Sequence, residues 1–246
     1  MALSTPSVLT SNLSGSASTT RTTASFTPSA NAILVAGFHV LAGSAPPSPT
    51  WTDSAGLTWT TITDTGFNST NRYTVKWAQV GASPAAMTVT ADYGATSTTS
   101  ASWGVVELTG HDTVTPIVTG STQTGSGTST TPATATAPAL AASGNYQLLF
   151  VAARTGSCTA EAGWTELFDR NGATTSMLAA YYIGTPGDTS PTATLSASAV
   201  WRCVGFEVAE GGLTLAASGS EFTMADGTPT YAGAFNAFRG LVLKWP

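Results

Sequence analysis

The chain is 246 residues long, enough for one large β-domain or two of ordinary size, and its formal charge is −5 from 13 acidic and 8 basic side chains. Charged residues make up only 9% of it, against about 25% in a typical globular protein. The few cations are scattered, which excludes the basic stripe that a nucleic-acid partner requires.

In place of charge stand 45 Thr and 27 Ser. Thr is β-branched and suits a pleated surface, Ser and Gly suit turns, and 25 Gly with 13 Pro leave little room for long helices. The expected class is all-β. A Ser/Thr surface costs little side-chain entropy to bury, so it suits a protein that packs against copies of itself or against other proteins.

In chain order, residues 8–13 and 22–26 are short-strand candidates in a Ser/Thr-rich start that lacks a basic n-region and an apolar h-region, so no signal peptide is expected. From Asn31 to Val40 runs an apolar stretch of buried-strand type. The longest apolar window, 32–43, is too short for the ~20 residues of a membrane helix and contains His39, which excludes a membrane span of that kind. Residues 45–49 are a Pro-rich loop, and 56–63 and 71–80 alternate as strands do. In the latter Tyr73, Val75 and Trp77 share one face, and Arg72, Thr74 and Lys76 the other. Strands at 86–90 and 102–108 close this half.

The second half repeats the order. Residues 145–154 match the run from Asn31, 163–167 match the strand around Trp59, and 177–184 match 74–81. Likewise 192–195 match 88–91, and 202–208 match 102–108. A period of roughly 100–114 residues is too long for a solenoid repeat. The expected architecture is an antiparallel β-sandwich of jelly-roll type built from two similar halves, 1–112 and 113–211, followed by a C-terminal extension, 212–246. In one version both halves share two sheets; in the other each is a separate sandwich of roughly 105 residues, close to an immunoglobulin-type domain in size. Between them lies a low-complexity Gly/Ser/Thr tract, 120–132, which reads as a linker or as the approach to a strand.

Signals of chemistry are sparse. His39 reads as a hydrogen-bonded core histidine and His111 as a turn residue, and no cysteine or carboxylate spacing makes either a metal ligand. Glu107 and Glu207 occupy equivalent positions, and strand parity points both away from the core, to expected solvent positions. That explains a pair that could otherwise suggest glycoside hydrolysis. No Gly-x-Ser-x-Gly elbow and no phosphate-binding loop are present. Trp59 and Trp164 read as core; Phe67, in a loop, is the better candidate for stacking on a sugar. Cys158 and Cys203 have no spacing that brings them together, and two free thiols are expected. No catalytic residue, metal or cofactor is therefore assigned. The residues 177–183 are apolar on both faces, so both should be covered. The extension carries Phe222, Tyr231, Phe235, Phe238 and Trp245, an apolar load expected to serve assembly.

The pattern of residues 103–110, the Ser/Thr/Gly tract, the apolar strand at 145–154, Gly163-Trp164-Thr165 and residues 192–196 resembles the β-sandwich modules, jelly-roll or concanavalin-A-like, of structural proteins in tailed phages and related gene-transfer particles. The resemblance spans about residues 5–210. It implies a non-enzymatic virion protein, a head decoration, spike, tail or fibre component. Such a protein is assembled in the host cytoplasm, associates with itself and docks on other capsid or tail proteins. A glycan-binding, lectin-like module that recognises a host surface glycan is the alternative.

Overall fold

The structure, a computed structural model, describes residues 2–133, 140–184 and 187–211, with the backbone of 216–218 and 221–223. It divides into two compact units, Met1–Gly211 and Gly212–Pro246. In the first unit the chain forms β1 (Ser7–Ser14), β2 (Thr20–Thr22), β3 (Ile33–Ala42), β4 (Thr50–Asp53), β5 (Thr60–Phe67), β6 (Asn71–Gln79), β7 (Val89–Asp92) and β8 (Thr98–Leu108). It continues with β9 (Gln123–Ser129), β10 (Tyr146–Ala153), β11 (Cys158–Ala160), β12 (Thr165–Asn171), β13 (Ser176–Tyr182), β14 (Ala193–Leu195) and β15 (Ala199–Val208). In the second unit β16 (Ala216–Ser218) pairs antiparallel with β17 (Glu221–Thr223). The described residues contain no helix, and the protein is all-β.

The strands of the first half pair as a folded ribbon: β1 with β8, β2 with β7 and β3 with β6, all antiparallel. Winding that ribbon sets β3 beside β8 and β7 beside β4, while β5 stays on β6 through the turn at Asn68 and Ser69. A five-stranded sheet, β1-β8-β3-β6-β5, and a three-stranded one, β2-β7-β4, result. The second half makes a five-stranded sheet in the order β9-β15-β10-β13-β12 and a small β11-β14 sheet. Residues 130–132 bond to β14, with Leu195 N–H donating to Thr130 O at 2.8 Å and Ala193 N–H to Pro132 O at 2.9 Å, so this segment stands by β14 as β2 stands by β7. Among the described residues no sheet mixes strands from the two halves.

Three apolar layers follow from strand parity. The two large sheets face each other over a core that includes Ile33, Val35, Val75 and Val106 from one and Phe150, Met177, Val204 and Phe206 from the other. Behind each lies a second core under the small sheet. One holds Phe38, Val89, Tyr93 and Trp103; the other holds Leu149, Val151, Leu178 and Cys203. β13 is therefore covered on both faces, as its composition requires. Trp77 is only half-buried, and Trp59, read as core from the sequence, is likewise part-exposed because it packs on the rim of the second core. Phe67 is buried at 3% exposure, stacked 5.1 Å from His39 and below Arg202 at 5.4 Å, so it is no surface platform.

Gly37 and Gly104 are cross-strand partners at the centre of the first sheet's inner face. A Cβ on Gly104 would overlap the Phe168 ring, and one on Gly37 would overlap Met177 and come within 3.1 Å of Phe150. The pair of glycines is a hollow that receives these side chains.

The Gly/Ser/Thr tract is no linker: its residues 123–129 are β9, an edge strand paired with β15 in unbroken register. Its glycines make room for large neighbours. A Cβ at Gly127 would stand 2.8 Å from the Trp201 ring, and one at Gly125 would overlap the Ala133 carbonyl and stand 2.8 Å from Cys203 Sγ. The Trp201 indole N–H donates to Ser129 Oγ at 2.9 Å. Buried Arg21 pins β2 to the first large sheet, donating to Thr98 Oγ1 at 2.8 Å, Thr98 O at 2.6 Å and Ser16 O at 2.7 Å.

Candidate functional site

The assembly residues of the extension lie largely outside what is described. Phe222 sits in β17 with its backbone opposite Ala217, and its side chain is outside the described residues, as are Tyr231, Phe235, Phe238 and Trp245.

The titratable residues singled out from sequence are held in structural bonds. Glu107 accepts from Ser29 N–H at 2.8 Å and Ser29 Oγ at 3.0 Å, fixing the loop before β3. Glu207 does the same before β10, accepting from Ala141 N–H at 2.7 Å and Asn145 Nδ2 at 2.6 Å. Its burial, at 3% exposure, corrects the expectation of a solvent position. Parity does turn it from the central core, but the loop it anchors folds over it. Asp112 accepts from the N–H groups of Val114 and Thr115, which hold its carboxyl below the usual range, and so it caps its own turn rather than pairing with His111. His39 is fully buried between the large sheets, with Nδ1 3.1 Å from Ser176 O and Nε2 3.1 Å from Asn71 Oδ1.

Cys158 and Cys203 are both free, and both lie in the core beneath the small sheet of the second half, a proximity their spacing did not show. Burial pushes both thiols up, Cys203 to about 12. In the folded protein neither should react with a thiol reagent at neutral pH, because little thiolate forms and access is blocked. Denaturation without reductant should release two thiols per chain, measured by a chromogenic disulfide; zero would contradict this placement.

A surface cluster of a different kind was not found from the sequence. Strand β4 carries Trp51, edge-on to Phe38 at 5.0 Å. Residues 53–57 then turn back, with Asp53 Oδ1 accepting from Ala55 N–H at 2.8 Å and Leu57 N–H at 3.1 Å. That turn brings Trp59 to within 5.4 Å of Trp51, and its indole N–H donates to Asp53 Oδ2 at 2.9 Å. Lys76 Nζ lies 5.3 Å above the Trp51 ring. Partial burial lowers the Lys76 pKa, with Asp64 opposing. Both indoles are part-exposed. Two part-exposed indoles and an ammonium thus share one patch, shaped by the Asp53 carboxylate, and such a patch suits stacking on a sugar ring. The signal was present as two tryptophans flanking an Asp-Ser-Ala-Gly turn.

The equivalent tryptophan of the second half is closed. Trp164 is buried, and its indole donates to Asp188 Oδ2 at 2.9 Å. Burial and the nearby Asp188 carboxylate raise the Glu161 pKa, while at Asp188 burial is outweighed by the contacts with Glu161, Ser190 and Trp164, which lower its pKa. Thr192 donates to both Glu161 oxygens at 2.7 Å. The adjacent small, partly open cavity beside Glu207 and Gln147 measures about 10 Å³, room for one water.

Among the described residues no three His, Cys, Asp or Glu side chains converge, and no helix is long and apolar enough to cross a membrane. No family model, curated protein or solved structure matches this chain.

Proposed function

We propose that the protein is a non-enzymatic structural component of a virus particle, a head decoration, spike, tail or fibre part, with each half a jelly-roll ribbon. The observation that supports this reading is that two five-stranded sheets of corresponding strand order, β1-β8-β3-β6-β5 and β9-β15-β10-β13-β12, face each other across one core. Its 9% charge and Ser/Thr-rich composition support it, since such a surface packs against neighbours at low entropic cost. Docking on other particle proteins falls to residues 212–246, with Phe222, Tyr231, Phe235, Phe238 and Trp245 as the contacts. A chain ending at Gly211 should keep its β-rich circular dichroism and cooperative melt and lose particle binding, scored by co-sedimentation with particles that lack the protein. Full binding by that truncated chain, or no particle binding by the full chain, refutes the role.

The second reading, a glycan-binding module, is favoured by the Trp51–Trp59–Lys76 patch. Under it, Trp51→Ala should abolish signal on a glycan array at unchanged circular dichroism. An array blank for the parent protein removes this reading.

A further inference from the structure

An exposed sheet edge offers a row of unpaired N–H and C=O groups, and proteins guard such edges with bulges, charges or short strands. Three of the four edges of the two large sheets are guarded. β1 has a bulge between Val8 and Thr10, and Arg170 donates to its Ser11 at 2.9 Å. β5 has a bulge between Thr61 and Thr63 and carries Asp64. β12 has a bulge between Glu166 and Phe168 and carries Glu166, Asp169 and Arg170. The small sheets expose strands of only three or four residues.

β9 has none of these devices. It is seven residues long, pairs with β15 without a register shift, and contains no charge and no proline. Among the described residues nothing bonds to the backbone on its other side. Thr124, Ser126 and Thr128 are exposed on the face that the first large sheet covers elsewhere, so β9 stands out as a bare shelf.

Its sequence also identifies the occupant. Residues 122–130 read Thr-Gln-Thr-Gly-Ser-Gly-Thr-Ser-Thr, which is the same in both directions except for Gln123 against Ser129. We propose that β9 pairs antiparallel with β9 of a second copy about a two-fold axis through Ser126, joining two five-stranded sheets into one of ten strands. In that register Thr124 faces the partner copy's Thr128, Gly125 faces its Gly127, and Ser126 faces itself. Threonine pairs are favourable neighbours across antiparallel strands, and with no charge on β9 nothing repels. Facing glycines leave room for Trp201 of both copies to stay in place. An isologous contact of this kind closes on itself and stops at two copies. The proposal stands on the edge alone and does not rest on the particle reading.

The test uses the full chain in three single variants. Cα atoms directly opposite in an antiparallel pair are about 4.5–5.5 Å apart, within disulfide reach. Under mild oxidation Ser126→Cys should therefore give a covalent dimer. Thr128→Cys should not, because in this register it faces Thr124; the native cysteines are buried and silent. Ser126→Lys places two ammonium groups on the axis and should lose the dimer in sedimentation velocity. Its circular dichroism should match that of the parent, since the side chain is exposed. The proposal is overturned if the parent chain sediments as a monomer at about 100 μM. It is equally overturned if Ser126→Lys associates as the parent does, or if Ser126→Cys cross-links no better than Thr128→Cys. Either of the last two results would assign the edge to another strand or another register.

Discussion

Between pH 7 and pH 4 the protein should lose about 3 kcal/mol of stability through His39 alone. Full burial lowers its pKa from 6.5 to about 4, a cost only partly offset by the contacts with Ser176 and Asn71. The sign follows from proton counts. In the unfolded chain the imidazole takes up a proton near pH 6.5, whereas the folded ring stays neutral to about pH 4, so acid favours the unfolded state across that window. Both ring nitrogens face acceptors, Ser176 O and Asn71 Oδ1, and these contacts favour the charged ring, but burial outweighs them. Urea melts at pH 7, 6, 5 and 4 should show His39→Gln less stable at pH 7 but with a flatter profile, the gap between the two proteins closing by about 3 kcal/mol as acid is added. His111, whose pKa burial also lowers, contributes equally to both. Parallel profiles would show that His39 is not the acid-sensitive group.

A comparable loss is expected at the glycine hollow. Gly104→Val drives two methyl groups into the Phe168 ring, a rigid obstacle backed by Phe150 at 6.4 Å, and should cost about 3 kcal/mol. Phe168→Ala empties the same space and should cost about 4 kcal/mol. The two sites touch, so they should not add: Gly104→Ala with Phe168→Leu should be more stable than the sum of the single changes predicts. Denaturant melts of the four proteins measure this, and strict additivity would mean that ring and hollow are not in contact.

Where side chains alternate, strands were legible from the sequence. β6, β8 and β15 fall where Val75, Val106 and Val204 placed them, and β3 and β10 where their apolar runs placed them. β9 was harder to see because the information lies on other strands. Gly127 is required by Trp201, more than 70 residues away, and Gly125 by the backbone of Ala133, which crosses over it, so a strand whose neighbours supply the bulk has no pattern of its own. Glu207 was misplaced for a related reason: parity gives the face on which a side chain emerges, and the loop at 141–145 then closed over that face. The Trp51 patch escaped notice because its members come from β4, the next turn and β6, joined only in the fold.

The hollow at Gly37 and Gly104 exists on one large sheet, and the rings that fill it exist on the other. Two first halves brought together would set cavity against cavity, and two second halves would set Phe150 and Phe168 against their own kind. Unlike halves are complementary at this hollow, and within one chain they are tethered at an effective concentration of about millimolar or above. Exchange of halves between molecules is therefore disfavoured at ordinary protein concentrations, even while nascent chains crowd one another. The clasp thus stays private to one chain and makes no use of its outer sheet edges.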